Sequence, residues 1–171
     1  MNESIIPTYT KADKLIWSLA SLGGSIISGI YAALLLYFYQ VYLGLGAIFI
    51  AIAAGIYAIW NAINDPLFGY ISDSKSFRKL GRRIPYMRYT APLLGVGFIL
   101  VWFVPLTLDN FSIFLWMLIS MLIYDTAYTI IFLMQSALLP EITESDWERG
   151  EFQKYSSIFY LFGVIIGFVV P

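Results

Sequence analysis

Hydrophobic residues follow one another along this chain in five long stretches separated by short polar segments. The stretches cover residues 15–43, 46–71, 86–108, 111–139 and 155–171. Each is close to or longer than the roughly 17 to 25 residues that an α-helix needs to cross a bilayer. The pattern predicts five membrane-spanning helices with a polar segment at residues 1–14 and loops at 72–85 and 140–154. The fifth stretch reaches Pro171 without a polar flank, so we expect it to be a truncated span.

Composition points to the same class. Hydrophobic residues make up 60% of the 171, charged residues 12%, and the mean hydropathy is +0.77. This is too little polar surface to cover a soluble globule, so we expect an all-α membrane protein whose main partner is the lipid bilayer. The net charge of −1 does not indicate the positively charged surface that binds nucleic acid, so we expect no nucleic-acid partner.

The available side chains limit the chemistry. The sequence contains no cysteine and no histidine, which excludes disulfides and metal sites or catalysis built on thiolate or imidazole. No nucleophile and base stand at a recognisable spacing, and no metal-ligand cluster is visible. We therefore expect a protein that is not an enzyme, with no catalytic residues, no resident metal and no organic cofactor.

The distribution of cations predicts the orientation. All ten Lys and Arg residues fall in the N-terminal segment, in or beside the loop at 72–85, or in the loop at 140–154. The connections around residues 42–46 and 107–110 carry none. Short cytoplasmic loops are enriched in Lys and Arg. We predict a multi-pass protein of the cell membrane with a cytoplasmic N-terminus and with Asn110 outside.

Polar residues inside the second stretch are the first candidates for function. Asn61 and Asp65 are four residues apart and share a helix face, Tyr57 lies one turn earlier, and Asn64 is adjacent. An ionisable group within a span is costly and usually faces a bundle interior or a water-filled path. We interpret Asp65 with Asn61 as a cation-coupling pair that binds a cation or carries a proton.

The fourth and first stretches carry further polar stripes. Asp125 and Thr129 share one face of the fourth, with Tyr128 and Gln135 beside it, and Ser25 belongs to a serine stripe on the first. Together with Asn64 these are the candidate substrate-binding residues of a central hydrophilic cavity. Each has a structural alternative: the serines would be a close-packing face, and Asp125 would hydrogen-bond a buried tyrosine or threonine.

Three segments carry a family resemblance. GYISDSKSFRKLGRRIP resembles the loop between helices two and three of the major facilitator superfamily, and its long spacing is similar to the glycoside-pentoside-hexuronide cation symporter branch, which includes melibiose carriers. NDPLFGYISD resembles the end of helix two in that branch, and SALLPEITESDWERGEFQKYSSIF resembles its loop between helices four and five.

The resemblance implies a twelve-helix fold of two six-helix halves that rock about a central site, this chain being the N-terminal portion. Asp65 matches a cation-site aspartate of the family, whereas Asn61 stands where a second carboxylate is usual. Ser25 and Phe132 stand at two further positions that are acidic in melibiose carriers. The resemblance also implies a cytoplasmic gate formed by residues at the end of the second span and in the loop that follows: Gly69, Asp73, Gly81, Arg82 and Arg83.

These observations predict a secondary transporter that couples a proton or a sodium ion to a small polar solute of the sugar or glycoside type. With fewer carboxylates than melibiose carriers, the solute would be bound by amides, Tyr128 and Gln135. Its partners would include the missing C-terminal helices or another membrane subunit. The alternative is an accessory or structural subunit that packs through small residues such as Gly23, Gly24 and Ser28 and moves no solute.

Overall fold

Five long α-helices and one short π-helical segment account for most of the computed structural model, which describes residues 9–74 and 83–169, with side chains at 9–71 and 83–169. The elements are α1 (Lys11–Leu36), the π-helical segment (Tyr37–Tyr42), α2 (Ala47–Ser74), α3 (Ile84–Trp102), α4 (Asn110–Ile142) and α5 (Asp146–Val169). All five α-helices are long and apolar enough to cross a membrane. Within the described ranges no strand is present, and the predicted all-α membrane fold is confirmed.

The start of α5 and the end of α3 lie well away from the limits of the hydrophobic stretches. The fifth helix begins at Asp146 rather than at residue 155. Its first turns are polar and so lie outside the hydrophobic stretch, but they are stabilised as a helix: Asp146 and Glu148 lie at the positive end of the helix dipole, and Ser145 accepts a hydrogen bond from the Glu148 N–H. The third helix ends at Trp102 although apolar residues continue. Phe103 leaves helical geometry with φ −98° and ψ 64°, and a proline follows at position 105.

The chain divides into two compact units. The first consists of Met1–Leu34 and Leu139–Pro171, and within it α1 contacts α5. Lys14 and Glu148 form an ion pair of 2.8 Å near the beginning of both helices. Towards the other end, the backbones approach so closely at Gly29 and Gly167 that a Cβ atom on either glycine would lie about 3 Å from the Cα atom of the other.

The second unit, Leu35–Leu138, contains the π-helical segment, α2, α3 and most of α4. The side chains of Tyr39 and Trp116 donate hydrogen bonds of 2.8 Å to the carbonyls of Val101 and Leu100, respectively. These two carbonyls belong to the last turn of α3, which has no later helical N–H to pair with them. The largest share of buried positions belongs to α4, and this helix carries the polar site of the unit.

Candidate cation and solute site

A buried carboxylate lies halfway along α4. At roughly 1.5 Å per residue, Asp125 is about 22 Å from the start of the helix and about 25 Å from its end. Only 6% of the residue is exposed. A group at this place in a membrane-spanning helix is near the middle of the bilayer, where an ionised side chain needs polar partners.

The partners of Asp125 come from one face of α2. The Tyr57 hydroxyl donates a hydrogen bond of 2.9 Å to Oδ1, which also accepts a 3.3 Å bond from Asn61 Nδ2, and Asn64 Nδ2 donates to Oδ2 at 3.1 Å. The spacing of four and three residues brings the donors onto one stripe of the helix. We call Tyr57, Asn61, Asn64 and Asp125 the α2–α4 cluster.

A second link between the same two helices lies beside the cluster. Trp60 donates a hydrogen bond of 3.0 Å from Nε1 to Oγ1 of Thr126. This pairing explains why an indole stands far inside the second span rather than at the membrane interface, where tryptophan is enriched. Two adjacent residues of α4 are thus bonded to four residues of α2, which fixes the register of the helices.

The predicted pairing of Asp65 with Asn61 differs from the arrangement found. Asn61 and Asn64 face α4, whereas the Asp65 side chain is exposed and takes no part in the α2–α4 cluster. The reason is geometric, since consecutive residues of a helix are separated by about 100° and Asn64 occupies the buried stripe. The role of Asp65 in cation coupling stays a prediction.

Of the other candidates on α4, Tyr128 belongs to a row of aromatic rings. The ring of Tyr128 is 4.4 Å from that of Phe132 and 5.9 Å from that of Tyr124. Thr129 is half-buried and Gln135 is buried. The structure therefore places Tyr128 and Thr129 one turn from Asp125 and Gln135 farther along the helix, without testing whether they bind a solute.

Ser25 belongs to the first unit, where it packs against a neighbouring helix. Its side chain is buried, its hydroxyl donates a 3.0 Å hydrogen bond to the Leu22 carbonyl, and a Cβ atom on Gly163 of α5 would collide with it. The contact of Ser25 with Gly163 is the close packing of two helices that the structural alternative predicts for the serine stripe. Its role in substrate binding stays a prediction.

The predicted cytoplasmic gate falls largely on residues that the structure does not describe. Gly81, Arg82 and the side chain of Asp73 lie outside the described residues. Gly69 is part of the last turns of α2, and Arg83 stands immediately before α3. Their joint function therefore stays a prediction.

The sequence predicts Asp125 as a site residue but indicates no partners for it on α2. The alternative of a hydrogen bond to a buried tyrosine is met in part: Tyr57 donates the bond, but its side chain is half-buried. The sequence does contain a signal for these partners. Positions 57, 61 and 64 form a stripe of three hydrogen-bond donors near the middle of the second span, and the lone carboxylate of the fourth span also lies near its middle.

Apolar helices of membrane-spanning length, two of them joined near their midpoints by a buried carboxylate and its donors, are the architecture of a multi-pass membrane protein with a polar site in its interior. Residues 16–171 match the family model described as MFS/sugar transport protein. The chain belongs to this family of the major facilitator superfamily, and the resemblance seen in its loops is confirmed.

Several curated relatives are symporters. Sodium-dependent lysophosphatidylcholine symporter 1 of Mus musculus is 31% identical over 111 residues, which cover 63% of this chain and 21% of the relative. The protein of the same name in Xenopus tropicalis is 29% identical over 109 residues, covering 64% and 21%. An uncharacterized symporter of Synechocystis sp. is 26% identical over 162 residues, covering 92% and 30%. The matches span only 21% to 30% of the length of these relatives.

Proposed function

We propose that this chain is the N-terminal portion of a cation-coupled symporter that moves its solute by alternating access. The observation that carries the proposal is the carboxylate of Asp125, held in the middle of α4 by three donors from α2. A structural helix pair has no need of an ionisable group at this depth, whereas a transporter uses one to bind or release a cation. The symporter relatives support the same function.

Asp65 is the second proposed coupling residue. Asp65 stands where the cation symporters that this chain resembles have a cation-site aspartate. Its side chain is exposed on α2, about 14 Å from the end of the helix at Ser74. A carboxylate at such a position is stable when it faces a water-filled path or another helix. The further helices of the transporter, or another membrane subunit, would supply that surface.

For the solute we propose, first, a sugar-like polar molecule. The description of the family supports this class, and the amides of Asn61 and Asn64 with Gln135 offer both donors and acceptors to hydroxyl groups. A lysophospholipid is the second candidate. It is favoured by the names of the animal relatives and by the row of rings from Tyr124 through Tyr128 to Phe132, which offers apolar surface beside the polar cluster.

The orientation and location belong to the same proposal. Because nine of the ten cations fall within three segments and the tenth, Arg88, lies just after the second, we place the N-terminus and the segments 72–85 and 140–154 in the cytoplasm of a cell whose plasma membrane holds the protein. Asp73, Arg82 and Arg83 would then lie on the cytoplasmic side, where a gate between them would close the transporter to the cytoplasm.

Uptake into liposomes tests the function. The full product of the gene is reconstituted, and the entry of radiolabelled sugars and of lysophosphatidylcholine is measured under an imposed sodium gradient or an imposed pH gradient. We expect transient accumulation above equilibrium for one solute class and one gradient. Equilibration that neither gradient changes would contradict cation coupling, and accumulation of the lipid alone would replace the sugar by the second candidate.

A further inference from the structure

An apolar groove lies between the end of α3 and the first half of α4. Its volume is about 430 Å³, and it is lined by the last turn of α3, the connection that follows and one face of α4. On α4 the lining runs from Ser112 to Ile123, a distance of about 16 Å along the helix. The hydrophobic stretch of this span begins at Phe111, directly after two polar residues, so the groove starts close to the membrane surface. Because half of a bilayer's hydrocarbon core is about 15 Å thick, the groove is about as long as one leaflet is deep.

The polar side chains that line the groove use their donors within the protein. Trp116 Nε1 donates a hydrogen bond of 2.8 Å to the carbonyl of Leu100. The Ser120 hydroxyl donates one of 3.0 Å to a carbonyl in the preceding turn of α4, and the Ser112 hydroxyl donates to the carboxylate of Asp109. A polar solute would find none of these donors free, whereas a hydrocarbon chain needs no partner for hydrogen bonds. The lining therefore suits an acyl chain rather than a sugar.

The opening of the groove is confined to the same depth. The exposed large apolar side chains of α4 are Phe111, Leu115 and Ile119, all in the first half of the helix. A neighbouring helix packed along α4 would need an apolar face through the full thickness of about 30 Å, but an acyl chain that enters from one leaflet needs only half of it. The groove opens towards the bilayer that surrounds the five spans, so such a chain can reach it from the side.

A single charge stands at the mouth of the groove. Between Arg88 and Asp125, Asp109 is the only charged residue of the sequence. Its neighbour Leu108 and its partner Ser112 both line the groove, and its own side chain is exposed. The hydrogen bond from the Ser112 hydroxyl holds the pKa of the Asp109 carboxyl below its usual value, so the group is ionised at neutral pH. A carboxylate at this place attracts a cationic group and repels an anionic one.

We propose that this groove binds one acyl chain of a phospholipid whose primary ammonium head group lies beside Asp109. We call it the α3–α4 lipid site. A primary ammonium donates hydrogen bonds that a carboxylate accepts, whereas a quaternary ammonium has no N–H to donate. The site is independent of the proposed symport, because no residue of the α2–α4 cluster lines it and the lipid is a bound component rather than the solute.

Photolabelling of the full product of the gene in lipid nanodiscs tests the site. The probe is a phosphatidylethanolamine with a diazirine in the middle of one acyl chain, diluted into phosphatidylcholine. We expect the adducts, mapped by mass spectrometry, to concentrate on residues 115–123 of α4. Ile119→Trp fills the groove with a larger side chain and should lower their yield at least about fivefold. Ile48→Trp is the matched control, since Ile48 is an exposed apolar residue of α2 near the same end of the bundle, and it should leave the yield unchanged.

Competition by unlabelled lipids tests the head group. We expect phosphatidylethanolamine to displace the probe better than phosphatidylcholine does, and phosphatidylglycerol to displace it least. Asp109→Asn should reduce the preference for phosphatidylethanolamine over phosphatidylglycerol about threefold, the size expected of an exposed charge pair. Asp109→Glu keeps the carboxylate and should keep the preference.

Three results would overturn the site, and circular dichroism with size-exclusion chromatography checks that each variant is folded. Adducts spread equally over the exposed faces of α2, α3 and α4, with Ile119→Trp without effect, would show bulk lipid only. Absence of adducts at residues 115–123 in the unaltered protein would mean that another helix covers the groove. Displacement of the probe by lysophosphatidylcholine more readily than by phosphatidylethanolamine would assign the groove to the path of a solute.

Discussion

The hydroxyl of Tyr57 on α2 donates a 2.9 Å hydrogen bond to the carboxylate of Asp125 on α4. This contact joins two membrane-spanning helices near their midpoints and directs one of the two carboxylate oxygens towards α2. A hydrogen bond to a charged group contributes about 1.5–3 kcal/mol to stability, more than a bond between neutral groups. The pair is therefore both a structural link and a means of setting where Asp125 lies.

Substitution of Tyr57 should loosen this link. Tyr57→Phe removes the hydroxyl and keeps the ring, so we expect a loss of about 1–3 kcal/mol in the free energy of unfolding. The measurement is thermal unfolding in detergent followed by circular dichroism. Tyr70→Phe is the control on the same helix, because the ring of Tyr70 is exposed and its loss of a hydroxyl should be neutral. Equal stability of the two variants would refute the structural role of the contact.

The free energy of unfolding should depend strongly on the ion pair between Lys14 and Glu148. Their charged atoms are 2.8 Å apart and the side chains are only 9% and 14% exposed. Removing one partner leaves a buried charge unpaired, so Glu148→Gln should cost about 3–5 kcal/mol, whereas the double change Lys14→Met with Glu148→Met should cost less. Unfolding of the single and double variants in detergent measures the difference.

An exposed pair on α5 provides the comparison. Lys154 and Glu151 are 3.4 Å apart, and the lysine side chain is 62% exposed. Ion pairs in such positions contribute about 0–1 kcal/mol, so Glu151→Gln should change stability little. A loss as large as that of Glu148→Gln would mean that burial does not determine the strength of these contacts.

The close approach of α1 and α5 should depend on two glycines. A Cβ atom on Gly163 would lie 2.6 Å from the Leu22 carbonyl oxygen, and one on Gly167 would lie 2.6 Å from that of Ile26. We therefore expect Gly163→Ala and Gly167→Ala to force the helices apart and to lose about 1–3 kcal/mol. Gly150→Ala is the control on α5, since no atom lies within 4 Å of its Cβ position. An unchanged melting temperature in all three variants would contradict the contact.

The membrane orientation makes a separate prediction. Because the sequence has no native thiol, single cysteines at Ser76, Asn110 and Ser145 can be labelled without background. In intact cells, an impermeant maleimide should label position 110 and leave positions 76 and 145 unlabelled until the membrane is opened. Labelling of position 76 but not of position 110 would reverse the assignment.

Hydropathy alone determines the number of membrane helices here, because each apolar stretch is long enough to span a bilayer. It cannot determine where α5 begins, since the first turns from Asp146 are polar and are stabilised by local hydrogen bonds. The end of α3 likewise depends on the backbone at Phe103 rather than on hydrophobicity.

The site was harder to predict than the fold. The sequence places Asn61, Asn64 and Asp65 within one turn and a half of α2, and side-chain spacing allows either Asn64 or Asp65 to join Asn61. The rotation of α2 against α4 decides between them, and this rotation depends on packing along the whole interface. Asp125 and its three donors are brought together by that packing, from positions more than 60 residues apart in the chain.

In this account, a cation that binds within the helical bundle drives the accumulation of the solute. It is tested most directly by comparing accumulation under an ion gradient with solute exchange at equilibrium, in liposomes that contain the full product of the gene. We predict that Asp125→Asn and Asp65→Asn each retain exchange and lose accumulation, because the path for the solute persists while the charge that binds the cation is gone. Accumulation by both variants at the level of the unaltered protein would contradict the account.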